Sequence, residues 1–307
     1  LLLFCAICEQ VWYVQSMKSD YQFFAHTKGG DTLLPQPFEV FAYPMGDTTV
    51  RRVKDRPVHG GAQVMVVRSA APDWALIAAW ADLLRDFDRR ILVLPYLPSA
   101  RGDKDVPSPA RTNAVIAARL GITDLITLDP HSNVWLDTFR AASDHRINVH
   151  VLDLPKLVTY TVPRLLELDG VIAPDAGARE RAGAVAAAFG LPLFTASKHR
   201  DPDTGKLSGY VAPNGVVEDG SYLVVDDICD GGGTFILLAD AMPASAEMHL
   251  WVSHGGFTKG VQALVNRYTT LFTTNSLPSA GEAAVGYGAV VVRDLMRDIT
   301  NAVKGLV

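Results

Sequence analysis

Short apolar runs, each ended by turn or charged residues, alternate along the chain with stretches whose apolar positions recur every three or four residues. Runs of the first kind fit buried strands; stretches of the second fit helices packed by one face. In the first half the pattern predicts extended segments at 21–25, 38–43, 48–52, 63–68, 91–94 and 125–128, with Pro44-Met45-Gly46-Asp47 as a turn between the second and third. A helix is expected over 73–87, where Trp74, Ile77, Trp80, Leu84 and Phe87 share a core-facing stripe, and another over 110–120. The second half predicts strands at 148–152, 171–173, 193–195, 223–225, 248–252 and 269–273, and helices at 156–167, 178–189 and 290–303. Gly190 is placed to cap the helix before it. Strands alternating with helices imply an α/β fold with mostly parallel sheets. Polar clusters recur where strands end, the edge at which open α/β sheets bind ligands.

The most informative of these clusters follows Leu223-Val224-Val225. Asp226 and Asp227 close that strand, and Asp230, Gly231, Gly232, Gly233 and Thr234 lead into an apolar run beginning at Phe235. Strand, glycine-rich turn and helix together aim backbone N–H groups and a helix N-terminus at a phosphate. Glycines let the backbone approach the ligand and take up positive φ. Thr234 is expected to cap the helix and offer its hydroxyl to a phosphate oxygen. Carboxylates beside such a loop would repel an anion unless they hold sugar hydroxyls or Mg²⁺, so a ribose phosphate is indicated. Taken alone, the same stretch would also suit a tight turn with solvated acids.

Composition narrows the class. The chain has 307 residues, enough for two ordinary domains, with 49% hydrophobic and 20% charged residues. Its net charge of −5 without a basic run argues against a nucleic-acid partner. Cys229 lies within the phosphate motif, and Cys5 with Cys8 forms a lone pair without a second one to complete a zinc site. Residues 1–16 are apolar at first but too short to span a bilayer and lack a positive leader. They read as an extension ahead of a natural start at Met17, and a reducing cytoplasm is the expected compartment.

The stretch 222–235 resembles the phosphoribosyl-diphosphate motif of type I phosphoribosyltransferases and ribose-phosphate pyrophosphokinases. Further segments resemble the pyrophosphokinases in order: Tyr43 to Asp47, Pro95 to Lys104, Leu128-Asp129-Pro130-His131, Ala173-Pro174-Asp175-Ala176-Gly177, and Ser197-Lys198-His199-Arg200. The resemblance implies two similar type I phosphoribosyltransferase-like domains, 17–150 and 151–287, the first completed by a C-terminal helix within 288–307. It implies Mg²⁺-dependent transfer of the β,γ-pyrophosphate of ATP to the C1 hydroxyl of ribose 5-phosphate, for nucleotide biosynthesis, in a homo-oligomer built from dimers, commonly a hexamer.

The implied roles are residue-specific. Asp226 and Asp227 hold the ribose hydroxyls. Asp230, Gly231, Gly232, Gly233 and Thr234 hold the 5′-phosphate. Lys198 and Arg200 neutralise the transferred group. Tyr43, Asp47, Arg101, Asp103, Lys104 and His131 bind the nucleotide, with Tyr43 reaching a neighbouring subunit. His131 and Asp175 help bind Mg²⁺. These residue types suit the chemistry, because phosphoryl-type transfer relies on positioning and charge neutralisation and Mg²⁺ needs few protein oxygens. On an extended segment Lys198 and Arg200 would point to one side. The polar stretch 201–209 reads as a lid that excludes water. His254, before Gly255 and Gly256, ends another strand near the same edge.

Three departures from the family pattern involve four positions. Gly102 and Lys104 replace the usual Gln and Arg of Arg-Gln-Asp-Arg, Met45 stands where an Asp reads adenine, and Gly231 replaces Thr in Asp-Thr-Gly-Gly-Thr. The last removes a hydroxyl and a methyl from the phosphate turn. This motivates a second reading, in which the acceptor is ADP-ribose and the product serves to rebuild NAD⁺, as in phage-associated relatives. A third, a non-catalytic regulatory homologue, predicts loss of catalytic residues, yet Lys198, Arg200, His131 and Asp175 are all present.

Overall fold

Valine, isoleucine and leucine runs too short for helices pair side by side into two sheets. The computed structural model describes residues 20–200 and 207–307. They form two units: the described residues up to Leu152 together with Met296–Val307, and Asp153–Leu295. Residues 1–16, Met17 and positions 201–206 of the lid expected over 201–209 lie outside the described residues.

In the first unit the strands are β1 (Tyr21–His26), β2 (Leu34–Pro35), β3 (Phe38–Ala42), β4 (Thr48–Arg52), β5 (Ala62–Val67), β6 (Arg90–Val93), β7 (Asp124–Leu128) and β8 (Asn148–Leu152). Six of them form one sheet in the order β2-β1-β5-β6-β7-β8. The β5-to-β8 ladder is parallel, and β1 and β2 join antiparallel. Both β5 and β7 are buried along their whole length, which accounts for the apolar runs at 64–67 and 125–126 within them. Helices α1 (Trp74–Leu83), α2 (Pro109–Ala117) and α3 (Asn133–Ala142) cover the sheet, and Trp80, Trp135 and Phe139 fill the core beneath them. Asp73 caps α1 by accepting the Leu76 N–H, and Ser108 caps α2 through the Arg111 N–H. Strands β3 and β4 leave the sheet as a separate antiparallel hairpin.

The second unit holds β9 (Gly170–Ala173), β10 (Leu193–Thr195), β11 (Ser197–Arg200), β12 (Leu207–Val211), β13 (Ser221–Cys229), β14 (Glu247–Gly255), β15 (Thr270–Thr274) and β16 (Val290–Arg293). Its helices are α4 (Leu154–Thr161), α5 (Arg179–Phe189), α6 (Gly233–Ala241), α7 (Gln262–Val265) and α8 (Pro278–Ala284). The main sheet, β10-β9-β13-β14-β15-β16, is parallel throughout. From β9 the chain winds to β10 on one side, and from β13 it winds to β14, β15 and β16 on the other. The crevice beyond the carboxyl ends of β9 and β13 is therefore a topological switch point, the preferred ligand position in open α/β sheets. Gly190, at φ 71°, closes α5 as the sequence predicts.

Several expectations need correction. The helix expected over 290–303 is two elements. Val290–Arg293 is β16, paired in parallel with β15, and the helix is α9, Met296–Leu306, which belongs to the first unit. Three adjacent β-branched valines favour the strand, whereas Ile299, Ala302 and Val303 carry the helical spacing. The helix expected over 156–167 ends at Thr161, because Pro163 drives Val162 into the extended region at ψ 118°. The motif strand runs on to Cys229, so Asp226 and Asp227 stand within it rather than at its end. A register shift between His199 and Arg200 interrupts the regular alternation assumed for Lys198 and Arg200.

Candidate active site

At the switch point, Asp226 and Asp227 occupy consecutive strand positions and meet one cation. The Nη1 of Arg181 lies 3.3 Å from Asp226 Oδ1, and its Nη2 lies 3.1 Å from Asp227 Oδ2. The side chains are only 13%, 16% and 5% exposed for Arg181, Asp226 and Asp227, so the pairing is screened little by water. Backbone amides add to it: Asp227 N–H donates to Asp226 Oδ1 at 2.9 Å and Ile228 N–H to Asp227 Oδ1 at 2.8 Å. Burial, followed by the charge of Asp227, pushes the Asp226 carboxyl up to about 8, and Arg181 opposes that shift. The pair thus sits near a protonation step around neutral pH.

The next residues form the phosphate turn. Gly232 is left-handed at φ 77° and is the N-cap of α6; a Cβ there would also sit 3.3 Å from the Leu264 side chain. Gly233 has nothing within 4 Å of its Cβ direction, which leaves that approach open. The first amides of α6 have no partner within the helix and suit an anion. Thr234 is not the cap expected from sequence, because Gly232 takes that position and Thr234 falls inside the first turn. Asp230 accepts the Thr258 hydroxyl at 2.7 Å. Burial, with the charges of Asp230 and Asp226, pushes the Cys229 thiol up to about 12, so it stays protonated and is no nucleophile. Next along the same edge, Asp175 Oδ1 accepts the Gly177 and Ala178 amides at 2.8 and 3.2 Å and so shapes the start of α5. His254 is 2% exposed with Nδ1 2.9 Å from Ser276 Oγ, so it serves packing rather than a ligand.

In the first unit the expected nucleotide residues fall in two places: Arg101, Asp103, Lys104 and His131 follow the carboxyl ends of β6 and β7, and Tyr43 and Asp47 join β3 to β4. Arg101 lies in a 3-10 turn, Ala100–Gly102, and is exposed, as are Lys104 and His131, whereas Asp103 is buried. Gly102 is fixed by contact: a Cβ would lie 2.4 Å from Pro109 Cγ, and Ser108 Oγ donates to its carbonyl at 2.8 Å. Tyr43 and Asp47 sit at the exposed tip of the β3–β4 hairpin, closed by Tyr43 N–H to Asp47 O at 2.7 Å. The Arg51 guanidinium lies 3.2 Å from the Phe41 ring centre and 5.0 Å from that of Tyr43. Met45 projects beside them at 94% exposure. The backbone of Lys198 and Arg200 lies on β11; their side chains are outside what the structure describes.

Among the described residues no three His, Cys, Asp or Glu side chains converge on one metal position. The half-exposed Asp175 after β9 offers a carboxylate of the hard-oxygen type that suits Mg²⁺, which needs few protein ligands. Arg181, Thr258 and Arg51 escaped the sequence reading. For Arg181 a signal existed: it lies on the first two turns of the helix that follows Pro174-Asp175-Ala176-Gly177, close to a strand end.

Comparison with known proteins fits this geometry. A phosphoribosyl transferase domain matches residues 167–286, from just ahead of β9 to past α8. Over 255 residues the chain is 30% identical to the ribose-phosphate pyrophosphokinase of Pyrococcus furiosus, covering 78% of this chain and 86% of that protein. The chain belongs to the ribose-phosphate pyrophosphokinase family. It is a pyrophosphokinase with the family's two α/β units. The pyrophosphokinase of Thermococcus kodakarensis is 33% identical over 208 residues, 64% of this chain and 71% of that protein. The solved structure of the phosphoribosylpyrophosphate synthetase from Mycobacterium smegmatis shares the fold at a TM-score of 0.69 and 21% identity, covering 89% of this chain and 90% of that one. Among the described residues no helix is long and apolar enough to cross a membrane.

Proposed function

We propose that this pyrophosphokinase carries out Mg²⁺-dependent transfer of the β,γ-pyrophosphate of ATP to the C1 hydroxyl of ribose 5-phosphate. The observation that carries the reading is the Asp226–Asp227 pair bridged by Arg181 beside an open glycine turn at a switch point. The acids suit two vicinal sugar hydroxyls, which donate to carboxylate oxygens. The turn suits the phosphate at the other end of the same sugar. The C1 oxygen attacks the β-phosphorus, the bond from that phosphorus to the oxygen bridging to the α-phosphorus breaks, and AMP leaves with that oxygen as the C1 hydroxyl loses its proton.

Lys198 and Arg200 are assigned to charge on the group in transit, and Tyr43, Asp47, Arg101, Asp103, Lys104 and His131 to the nucleotide. Asp175 and His131 are assigned to Mg²⁺, which would supply charge neutralisation on the phosphates. The exposed β3–β4 hairpin suits a reach into a neighbouring copy, so we read the enzyme as a homo-oligomer assembled from dimers, and its compartment as the cytoplasm.

Gly231 favours a second reading, with ADP-ribose as acceptor, because it leaves the turn without the hydroxyl and methyl of threonine. Mass spectrometry of products from Mg-ATP with each acceptor in parallel tests both. A diphosphate added to ribose 5-phosphate supports the first reading; the same addition to ADP-ribose alone would replace it with the second.

A further inference from the structure

The segment between β14 and α7 lies along the phosphate turn and is fastened to it. The Gly256 and Phe257 amides both donate to the Cys229 carbonyl, at 2.9 and 3.0 Å, and the Thr258 amide donates to the Asp230 carbonyl at 3.0 Å. The Thr258 hydroxyl adds its bond to the Asp230 carboxylate at 2.7 Å. Lys259 follows directly and is delivered to the turn by these four bonds. A Cβ built on Gly231 would lie 3.3 Å from Lys259 Cδ and Cε and 3.5 Å from Cγ. The lysine stem therefore occupies the space over Gly231 that a threonine side chain would take. The side chain is otherwise exposed, so a packed stem presents its ammonium, one bond beyond Cε, at the mouth of the turn.

Charge balance gives that ammonium a task. A phosphate on the turn would come close to Asp230, and Arg181 is already committed to Asp226 and Asp227. We propose that Lys259 is an acceptor-binding residue whose ammonium pairs with the phosphate on C5 of the acceptor ribose, replacing by charge the hydroxyl that Gly231 lacks. The inference rests on the proposed pyrophosphoryl transfer and names the part of that site which grips the acceptor. The ligand chemistry is an anionic phosphate on C5 of ribose, whether terminal or part of a diphosphate.

The test compares wild type with K259M, which keeps the stem without the charge, and G231T, alone and together. Kinetics use Mg-ATP with ribose 5-phosphate or ADP-ribose. K259M is expected to raise the acceptor KM about 10–100-fold, the scale of a lost charge-assisted hydrogen bond, and to change kcat less. In the G231T background the same substitution is expected to cost much less, because threonine displaces the stem and returns the hydroxyl. The acceptor that shows the larger loss identifies whether the phosphate held is terminal or bridging. An acceptor KM within about twofold of wild type for K259M with both acceptors overturns the role of Lys259 while leaving the reaction intact. Turnover of neither acceptor by wild type overturns the reaction, and the inference with it.

Discussion

The guanidinium of Arg181 lies 3.1 Å from the carboxylate of Asp227 and, through its other terminal nitrogen, 3.3 Å from that of Asp226. One planar cation thus offsets two adjacent carboxylates that the β13 strand carries into a mostly dry crevice. Removing it leaves both partly buried carboxyl groups without a cation. R181Q is expected to lose about 3–5 kcal/mol of stability, the usual result of breaking a buried pair from one side. R181K keeps the charge and loses the fork, so it should fall between the two in urea denaturation while still raising the acceptor KM.

A pH dependence follows from the same pair. The Asp226 carboxyl is raised to about 8 in the folded chain, chiefly by burial, against an ordinary value of 3.8. The folded state therefore holds more protons than the unfolded state between these values. This group's contribution is fully present below about pH 4 and is lost as pH rises through about 8. Thermal unfolding of wild type should move to lower temperature across that window. D226N removes the ionisation, so its melting temperature should vary less with pH and exceed that of wild type near pH 8, while its activity falls. Parallel slopes for the two proteins would show that Asp226 does not titrate there.

The strands and their alternation with helices were legible in the chain, because buried parallel strands demand apolar runs such as 64–67 and 223–225. The acid pair and glycine turn were legible for the same reason, being contiguous. Arg181 was not, since its partners lie 45 and 46 residues away and only the β9–β13 pairing brings them together. The capping role given to Thr234 failed because a left-handed Gly232 ends the turn two residues earlier. The 290–303 segment misled because three valines continue the apolar pattern of the helix after them, and only pairing with β15 separates the two.

The glycines of the turn should behave differently from one another. Gly232 needs its φ of 77° and borders Leu264, so G232A is expected to cost about 1–2 kcal/mol in unfolding experiments. A Cβ on Gly233 would meet nothing within 4 Å, so G233A should leave stability within about 0.5 kcal/mol of wild type. Its added methyl instead enters the approach assigned to the acceptor phosphate, and the acceptor KM should rise.

Gly102 offers a check in the first unit. Its Cβ direction ends 2.4 Å from Pro109 Cγ, so restoring the family's glutamine by G102Q is expected to destabilise by about 1–3 kcal/mol. Pairing it with P109A should recover much of that loss, which chemical denaturation of the single and double variants will read directly.

On the proposed reaction a diphosphate, and not a single phosphate, moves from ATP to the acceptor ribose. Phosphorus-31 NMR of a reaction containing enzyme, Mg-ATP and either ribose 5-phosphate or ADP-ribose identifies the nucleotide left behind. AMP is expected, appearing with a new diphosphate on the anomeric carbon of one acceptor. ADP as the acceptor-dependent product, or no acceptor-dependent nucleotide at all, would contradict it.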